Sequence, residues 1–169
     1  MSAIESFAAV SGERPRILIL GSIPGVASLN AVQYYAHPRN AFWSIMAAYF
    51  GFSASLGYAE RLMQLQKNGV ALWDVLQRCE RPGSLDSAIK QETIEVNPID
   101  QLVTECPSLK GILLNGGKAG KEFNKAFPEL AAHPDIKVRI MPSTSPAYAA
   151  MPMAEKTKRW HQELDSLLT

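Results

Sequence analysis

The chain has 169 residues, 47% of them hydrophobic and 20% charged, the size and balance of one domain able to bury its own core. Lys and Arg number 17 against 16 Asp and Glu, a formal net charge of +1, which excludes a tail-driven, histone-like nucleic-acid binder but not an enzyme gripping a short stretch through a local patch. Glu5 and Glu13 flank only a short apolar N-terminal stretch, so neither a secretory leader nor a membrane span of roughly 18 apolar residues is expected, and a cytoplasmic location is.

Arg16-Ile17-Leu18-Ile19-Leu20, ending at Gly21, reads as a buried strand running into a Gly/Pro loop. Further on, Phe42, Trp43, Met46, Tyr49 and Phe50 recur at helical spacing, with Asn40 as N-cap and Gly51 as stop. A second helix is expected over Leu56 to Lys67, followed by a short strand at Val70-Ala71-Leu72-Trp73. Residues 78–97 show no period and read mostly as loop. Asn97-Pro98 looks like an N-cap with proline at the first helical position, opening a helix that ends before Pro107. Gly111-Ile112-Leu113-Leu114 makes a third strand closing on Asn115-Gly116-Gly117, and a helix follows from about Ala119 to Phe127. A fourth strand spans Ile136 to Met141, and after Pro152 a last helix carries Trp160, Leu164, Leu167 and Leu168 on one face.

Apolar strands each followed by a helix predict one α/β domain over residues 1–169, a three-layer α/β/α sandwich around a central, mainly parallel four-stranded sheet. Ligands of such sheets sit at the carboxyl ends of the strands. Residues 21–40, 115–118 and 142–148 fall there, rich in residue types that loops carry when they build a site. Cys79 and Cys106 lie far apart and outside any CxxC pair, and His37, His133 and His161 are scattered without metal-ligand spacing. Reduced thiols, no metal and no cofactor are expected.

The turn Gly21-Ser22-Ile23-Pro24-Gly25 brings backbone amides close to a ligand. It is not a nucleophile elbow, because Ser22 lacks the GxSxG frame. The stretch Gln33-Tyr34-Tyr35-Ala36-His37-Pro38-Arg39-Asn40-Ala41-Phe42-Trp43 is dense in side chains that a solvated loop does not need. Met141-Pro142-Ser143-Thr144-Ser145-Pro146-Ala147-Tyr148 follows the fourth strand, and Leu114-Asn115-Gly116-Gly117-Lys118-Ala119 the third.

Taken in order, these segments resemble the hypoxanthine- (deoxyinosine-) DNA glycosylases, a branch of the uracil-DNA-glycosylase superfamily. The GSxPG turn and QYYxHPRNxFW carry the first motif, and residues 141–148 stand in the place of the superfamily's (His/Asn)-Pro-Ser loop, which enters the DNA minor groove. Mismatch-specific uracil-DNA glycosylases share a related pattern, an xNPG turn followed by an aromatic residue, HPxN and FW. The resemblance covers the chain from about Arg16 to Tyr148.

It implies a uracil-DNA-glycosylase-like fold and a monomeric, monofunctional enzyme in base-excision repair. Such an enzyme flips a deaminated base out of DNA, at a cost of a few kcal/mol, and hydrolyses its N-glycosidic bond, leaving an abasic site. Hypoxanthine is the favoured base, with xanthine or uracil as further candidates. By position Asn40 matches the catalytic amide, which holds the attacking water without changing charge; the capping role remains open beside it. Tyr35 matches the aromatic residue that stacks on the flipped base, and Tyr34 should then point elsewhere. Gly21, Ile23, Pro24, Gly25 and Asn115 would line the base.

Ser22 is taken to occupy the place of the water-activating Asn or Asp of related enzymes. Since a hydroxyl is a poor base at neutral pH, this disfavours uracil hydrolysis by the usual route. Met141 replaces the second motif's His or Asn. His37, Arg39, Lys118, Pro142, Ser143, Thr144, Ser145 and Tyr148 are candidates for DNA contact, with Lys121 beside the rim and Lys156, Lys158 and Arg159 at the start of the last helix as further cations. A uracil/thymine mismatch glycosylase is the alternative within the class. A non-catalytic nucleotide- or DNA-binding α/β module is the alternative outside it, although Asn115-Gly116-Gly117-Lys118 lacks P-loop spacing.

Overall fold

The computed structural model describes residues 3–169. In chain order its strands are β1 (Ile4–Glu5), β2 (Ile17–Gly21), β3 (Val70–Asp74), β4 (Leu76–Cys79), β5 (Glu95–Val96), β6 (Gly111–Asn115) and β7 (Lys137–Met141). The helices are α1 (Val26–Ala31), α2 (Phe42–Phe50), α3 (Tyr58–Lys67), α4 (Ile99–Glu105), α5 (Gly117–Ala126), α6 (Pro128–Ala131) and α7 (Met153–Leu168). A four-stranded sheet in the order β3-β2-β6-β7 is parallel throughout, with at least one helix in every connection between its successive strands.

Alternation along β2 generates the three layers. Ile17 and Ile19 face one side and pack with Phe42, Trp43, Met46 and Trp160; Leu18 and Leu20 face the other and pack with Ile112, Leu114 and Phe123. A strand buried on both faces has to be apolar at every position, which is why the run carries no polar residue. At the outer edge β7 carries exposed Lys137 and Arg139, and these charges guard an unpaired strand against a second chain. Register aligns Gly21 with Asp74, Leu20 with Leu114 and Asn115 with Met141, so one rim collects the carboxyl ends of all the strands.

Three local expectations need correction. Residues 78–97 are not mostly loop: β4 and β5 join β1 in a small antiparallel sheet, and two short 3₁₀ turns lie between them. Pieces of two to four residues, paired with the distant N-terminus, are too short to show a period. Asn97 does not cap α4, because Pro98 holds that position; the buried Asn97 amide donates instead to the carbonyls of Asp74 (2.8 Å) and Leu76 (3.4 Å). Ala41, not Asn40, sits at the N-cap of α2, yet Asn40 Oδ1 still accepts the Phe42 N–H at 3.0 Å. Gly51 does end α2, with a left-handed φ of 77°. No helix among the described residues is long and apolar enough to cross a membrane, and both cysteines are free.

Trp160 ties the last helix to the functional rim, fully buried and donating from its indole to the Pro142 carbonyl at 3.0 Å. Trp160→Ala should therefore lower stability by about 3–5 kcal/mol, measured by urea unfolding. A loss below about 1 kcal/mol would contradict this packing.

Candidate active site

A cleft of about 690 Å³ opens at the carboxyl rim. Its floor begins at Gly21, where a Cβ would lie 2.7 Å from Asp74 Oδ1 and 3.2 Å from Tyr35 Oη. No side chain fits. The turn continues with Ser22 donating to Asp86 Oδ1 (2.7 Å), the Pro24 carbonyl accepting from Arg81 (2.7 Å) and the Val26 N–H donating to Ser84 Oγ (2.9 Å). Segment 81–86 thus clasps the turn and supplies a wall of the cleft, with Ser84, Leu85, Asp86 and Ser87 lining it.

The second wall comes from residues 34–40. Tyr34 is buried, its hydroxyl donates to the Ala8 carbonyl (3.0 Å), and its own carbonyl accepts from the Trp43 indole (3.0 Å). Tyr35, at a left-handed φ of 57°, turns its ring onto Phe42, with centroids 4.0 Å apart and planes at 23°. Phe42 covers one face of the ring, and Tyr35 lines the cleft. The Tyr35 hydroxyl is sealed from solvent without a hydrogen-bond partner, and burial, reinforced by Asp74, pushes its pKa upward. His37 shapes the turn: its Nδ1 accepts the Arg39 N–H (3.1 Å) and its carbonyl accepts the Asn40 N–H (2.9 Å). Arg39 is exposed, lines the cleft and makes no ion pair among the described residues. Asn40 lines the cleft too; one lone pair of its Oδ1 takes the Phe42 N–H, and its Nδ2 has no partner among the described residues.

Thr144, 1% exposed, couples the remaining loops. Its N–H donates to Asn115 Oδ1 (3.0 Å), its Oγ accepts from Asn115 Nδ2 (2.9 Å), and its carbonyl accepts the Ala41 N–H (2.9 Å). Loop 142–148 is held from below by Lys156, 5% exposed, which donates to the carbonyls of Ser145 (3.3 Å) and Tyr148 (2.6 Å) and lies 5.1 Å from the Tyr148 ring centre. Ser143, Ser145, Pro146, Ala147 and Tyr148 complete the lining. Gly116, at φ 104°, leaves room for Ser143, whose Cβ would be 3.1 Å from a side chain there.

The structure therefore gathers Gly21, Ser22, Ile23, Pro24, Gly25, Tyr35, His37, Arg39, Asn40, Asn115, Ser143, Thr144, Ser145 and Tyr148 around one cleft. It does not bring Pro142 or Lys118 there. Pro142 is engaged with Trp160, and Lys118 pairs with buried Glu122 (3.1 Å) and with Gln91 (2.8 Å). Lys156 and Arg159 are likewise occupied, the latter by Glu155 at 3.1 Å. Met141 packs in the core. Among the described residues no group of three or more His, Cys, Asp or Glu is placed to hold a metal ion.

Two acidic residues that the motifs did not single out stand in the cleft, Asp74 and Asp86. The signal for Asp74 was present: a lone acid closing the apolar run Val70–Trp73 lands at the functional rim. Asp74 is 3% exposed, and its Oδ2 accepts from Ser6 Oγ at 2.8 Å. Burial pushes its pKa up to about 7; Asp86 adds to the rise, while the Ser6 hydrogen bond and Arg81 oppose it.

A family model described as the uracil DNA glycosylase superfamily matches residues 9–166. A hypoxanthine DNA glycosylase of Methanosarcina barkeri is 41% identical over 118 residues, 69% of this chain and 73% of that one. Another, from Methanosarcina acetivorans, is 36% identical over 142 residues, 83% of this chain and 85% of that one. The solution NMR structure of a candidate uracil DNA glycosylase from Methanosarcina acetivorans aligns with a TM-score of 0.82 at 31% identity, over 98% of this chain and 99% of that one. The placement of Ser22 also needs correcting: counted back from Pro24-Gly25, the Asn position of an xNPG turn falls on Ile23, whose side chain packs in the core. Ser22 stands one residue before that position.

Asp74 makes a stability test. Its pKa is near 3.8 when solvated and about 7 when folded, so the native state keeps a proton that the unfolded chain releases. Its contribution is full below about pH 4 and is lost as pH rises through about 7. Asp74→Asn, which keeps an acceptor for Ser6 and removes the charge, should gain on the order of 3 kcal/mol at pH 8 and far less at pH 4.5. Urea unfolding at the two pH values measures it; equal effects at both would contradict the burial.

Proposed function

The chain belongs to the uracil DNA glycosylase superfamily and is a DNA glycosylase; from that premise we propose that it removes hypoxanthine from DNA by simple hydrolysis, with Asn40 as its catalytic residue. The observation that carries the reading is the position of the Asn40 amide, in the cleft and held by the first amide of α2. A C1′–N bond breaks through an oxocarbenium-like sugar, so the protein's task is to hold a water, accept the base and bear positive charge on the sugar. The second lone pair of Asn40 Oδ1 accepts from the water, and its Nδ2 supplies a donor. Capping and catalysis use different valences of one amide, so both roles coexist.

Tyr35 offers its uncovered face to the extruded base, and the Phe42 stack beneath keeps the ring from rotating away. Asp86 adds a carboxylate to the cleft in which the sugar becomes electron-poor. Ile23 at the water-activating position supports hypoxanthine over uracil, because no polar group of the Gly/Pro turn can act there and the amide at position 40 has to. The names of the Methanosarcina relatives support the same base. Ser143, Ser145 and Tyr148 face the minor groove in this reading, with the loop stiffened by Lys156 and Thr144. The enzyme acts as a monomer, and water is its one co-reactant.

Labelled duplexes holding hypoxanthine, xanthine, uracil or a thymine mismatch, treated with alkali after incubation, should be cut at hypoxanthine and left intact at uracil. The opposite pattern would overturn the base assignment. With the fold verified, Asn40→Ala should lower kcat/KM by about 30- to 1000-fold, the effect of losing one oriented polar group; a loss under about tenfold leaves the residue only its cap. The cleft lining contains no lysine, so borohydride should trap no covalent adduct with substrate DNA. Arg39→Ala should flatten the slope of log affinity against log salt by about 0.9, one phosphate's share, in a binding titration.

A further inference from the structure

Pulling a nucleotide out of a duplex leaves a gap in the base stack, and the nucleotide falls back unless something apolar takes its place. The side chain best suited to fill that gap is large, apolar and exposed at the mouth of the cleft. Its support should also be rigid beforehand, so that no ordering cost falls on the moment of entry.

Leu85 has these properties. Among the described residues that line the cleft, the exposed large apolar side chains are Val26, Leu85 and Tyr148, and Leu85 is the most exposed of them at 56%. Its backbone is extended, at φ −80° and ψ 132°, so the side chains before and after it point to one side and its own to the other. Both neighbours are bonded to the Gly/Pro turn. Ser84 Oγ accepts the Val26 N–H (2.9 Å), and Asp86 Oδ1 accepts from Ser22 Oγ (2.7 Å). The bonds that fasten the segment therefore turn the leucine outward.

The mount is stiff at both ends. Arg81, 4% exposed, donates to the carbonyls of Gly83 (2.9 Å) and Pro24 (2.7 Å), and the Leu85 carbonyl accepts the Ala88 N–H (3.0 Å). Polar side chains turned in and a leucine turned out invert the arrangement that folding alone favours. The other two apolar groups are less fit for the task. Tyr148 has its ring 5.1 Å from the Lys156 ammonium, which also donates to its carbonyl at 2.6 Å. Val26 opens α1 and is branched at Cβ, with a shorter reach than leucine.

Resting on the functional reading above, we propose that Leu85 is the wedge of this enzyme, a positioning residue that enters the base stack from the 81–87 wall and keeps the nucleotide extruded. The Pro-Ser loop, whose one bulky side chain is tethered to Lys156, does not supply it. Leu85 touches no reacting atom; it acts by holding the base where Asn40 and Tyr35 can use it.

The test compares hypoxanthine paired with cytosine inside a duplex and hypoxanthine in an unpaired loop of the same duplex, since only the first must be pried from a stack. Leu85→Ala should lower the paired-to-unpaired ratio of kcat/KM by at least about tenfold. Leu85→Met, which restores a long apolar chain, should keep the ratio within about threefold of wild type. A structural role, or a general one in the cleft, slows both substrates together and leaves the ratio unchanged, which overturns the proposal. A ratio that falls in Tyr148→Ala and holds in Leu85→Ala overturns it as well, because the wedge would then stand on the Pro-Ser loop. Should wild type release hypoxanthine from neither substrate, the functional reading falls and this one with it; release from both with an unmoved ratio sinks this one alone.

Discussion

A side chain at position 21 would have to occupy the space held by Asp74 Oδ1 and Tyr35 Oη, and the geometry of the cleft follows from that exclusion. Because β2 ends in a glycine, the backbone of the turn lies against the end of β3, and the ring of Tyr35 reaches under it from the other side. The carboxyl and the phenol are then held by their own anchors, Ser6 and Phe42, so neither collapses onto the other. In the proposed reading, the space above them is what a flipped nucleotide enters.

Around that floor the loops are fastened to one another more than to the sheet. Thr144 joins the end of β6 to the start of α2, and Lys156 holds the following turn from beneath. Arg81, Ser84 and Asp86 fasten the Gly/Pro turn from the opposite side. Catalysis by positioned neutral groups depends on this stiffness, because a misplacement of about 1 Å in a water or a base can cost around a hundredfold in rate. The same logic accounts for buried Lys156, whose ammonium fixes the loop through the carbonyls of Ser145 and Tyr148.

The cleft also carries a cost in folding that the core offsets. An unpaired buried phenol and a carboxyl raised toward neutral pH both oppose the native state. Sites of this kind persist where ligand chemistry uses them, and the dense packing of Phe42, Trp43, Met46 and Trp160 against Ile17 and Ile19 supplies the surplus.

Much of this was legible in the order of residues. The inner strands β2 and β6 are continuous apolar runs, a pattern that two-sided burial imposes, and the Gly/Pro turn and Asn115 lie where those runs end. Asn40 was legible as a short amide next to the start of α2, where its Oδ1 accepts the Phe42 N–H although Ala41 holds the cap position. What the chain order could not display was anything made by contact between distant segments. The small sheet of β1, β4 and β5 rests on pairings with no local period, and Asp86 reaches Ser22 across 64 positions. Whether a lysine meets DNA or a carbonyl depends on which neighbours fold against it: Lys118 and Lys156 look like any surface cations until Glu122 and the loop at 145–148 come near. Local propensity and alternation are written residue by residue; the pairing of one buried polar group with another is decided by three-dimensional proximity, and only the folded chain contains that.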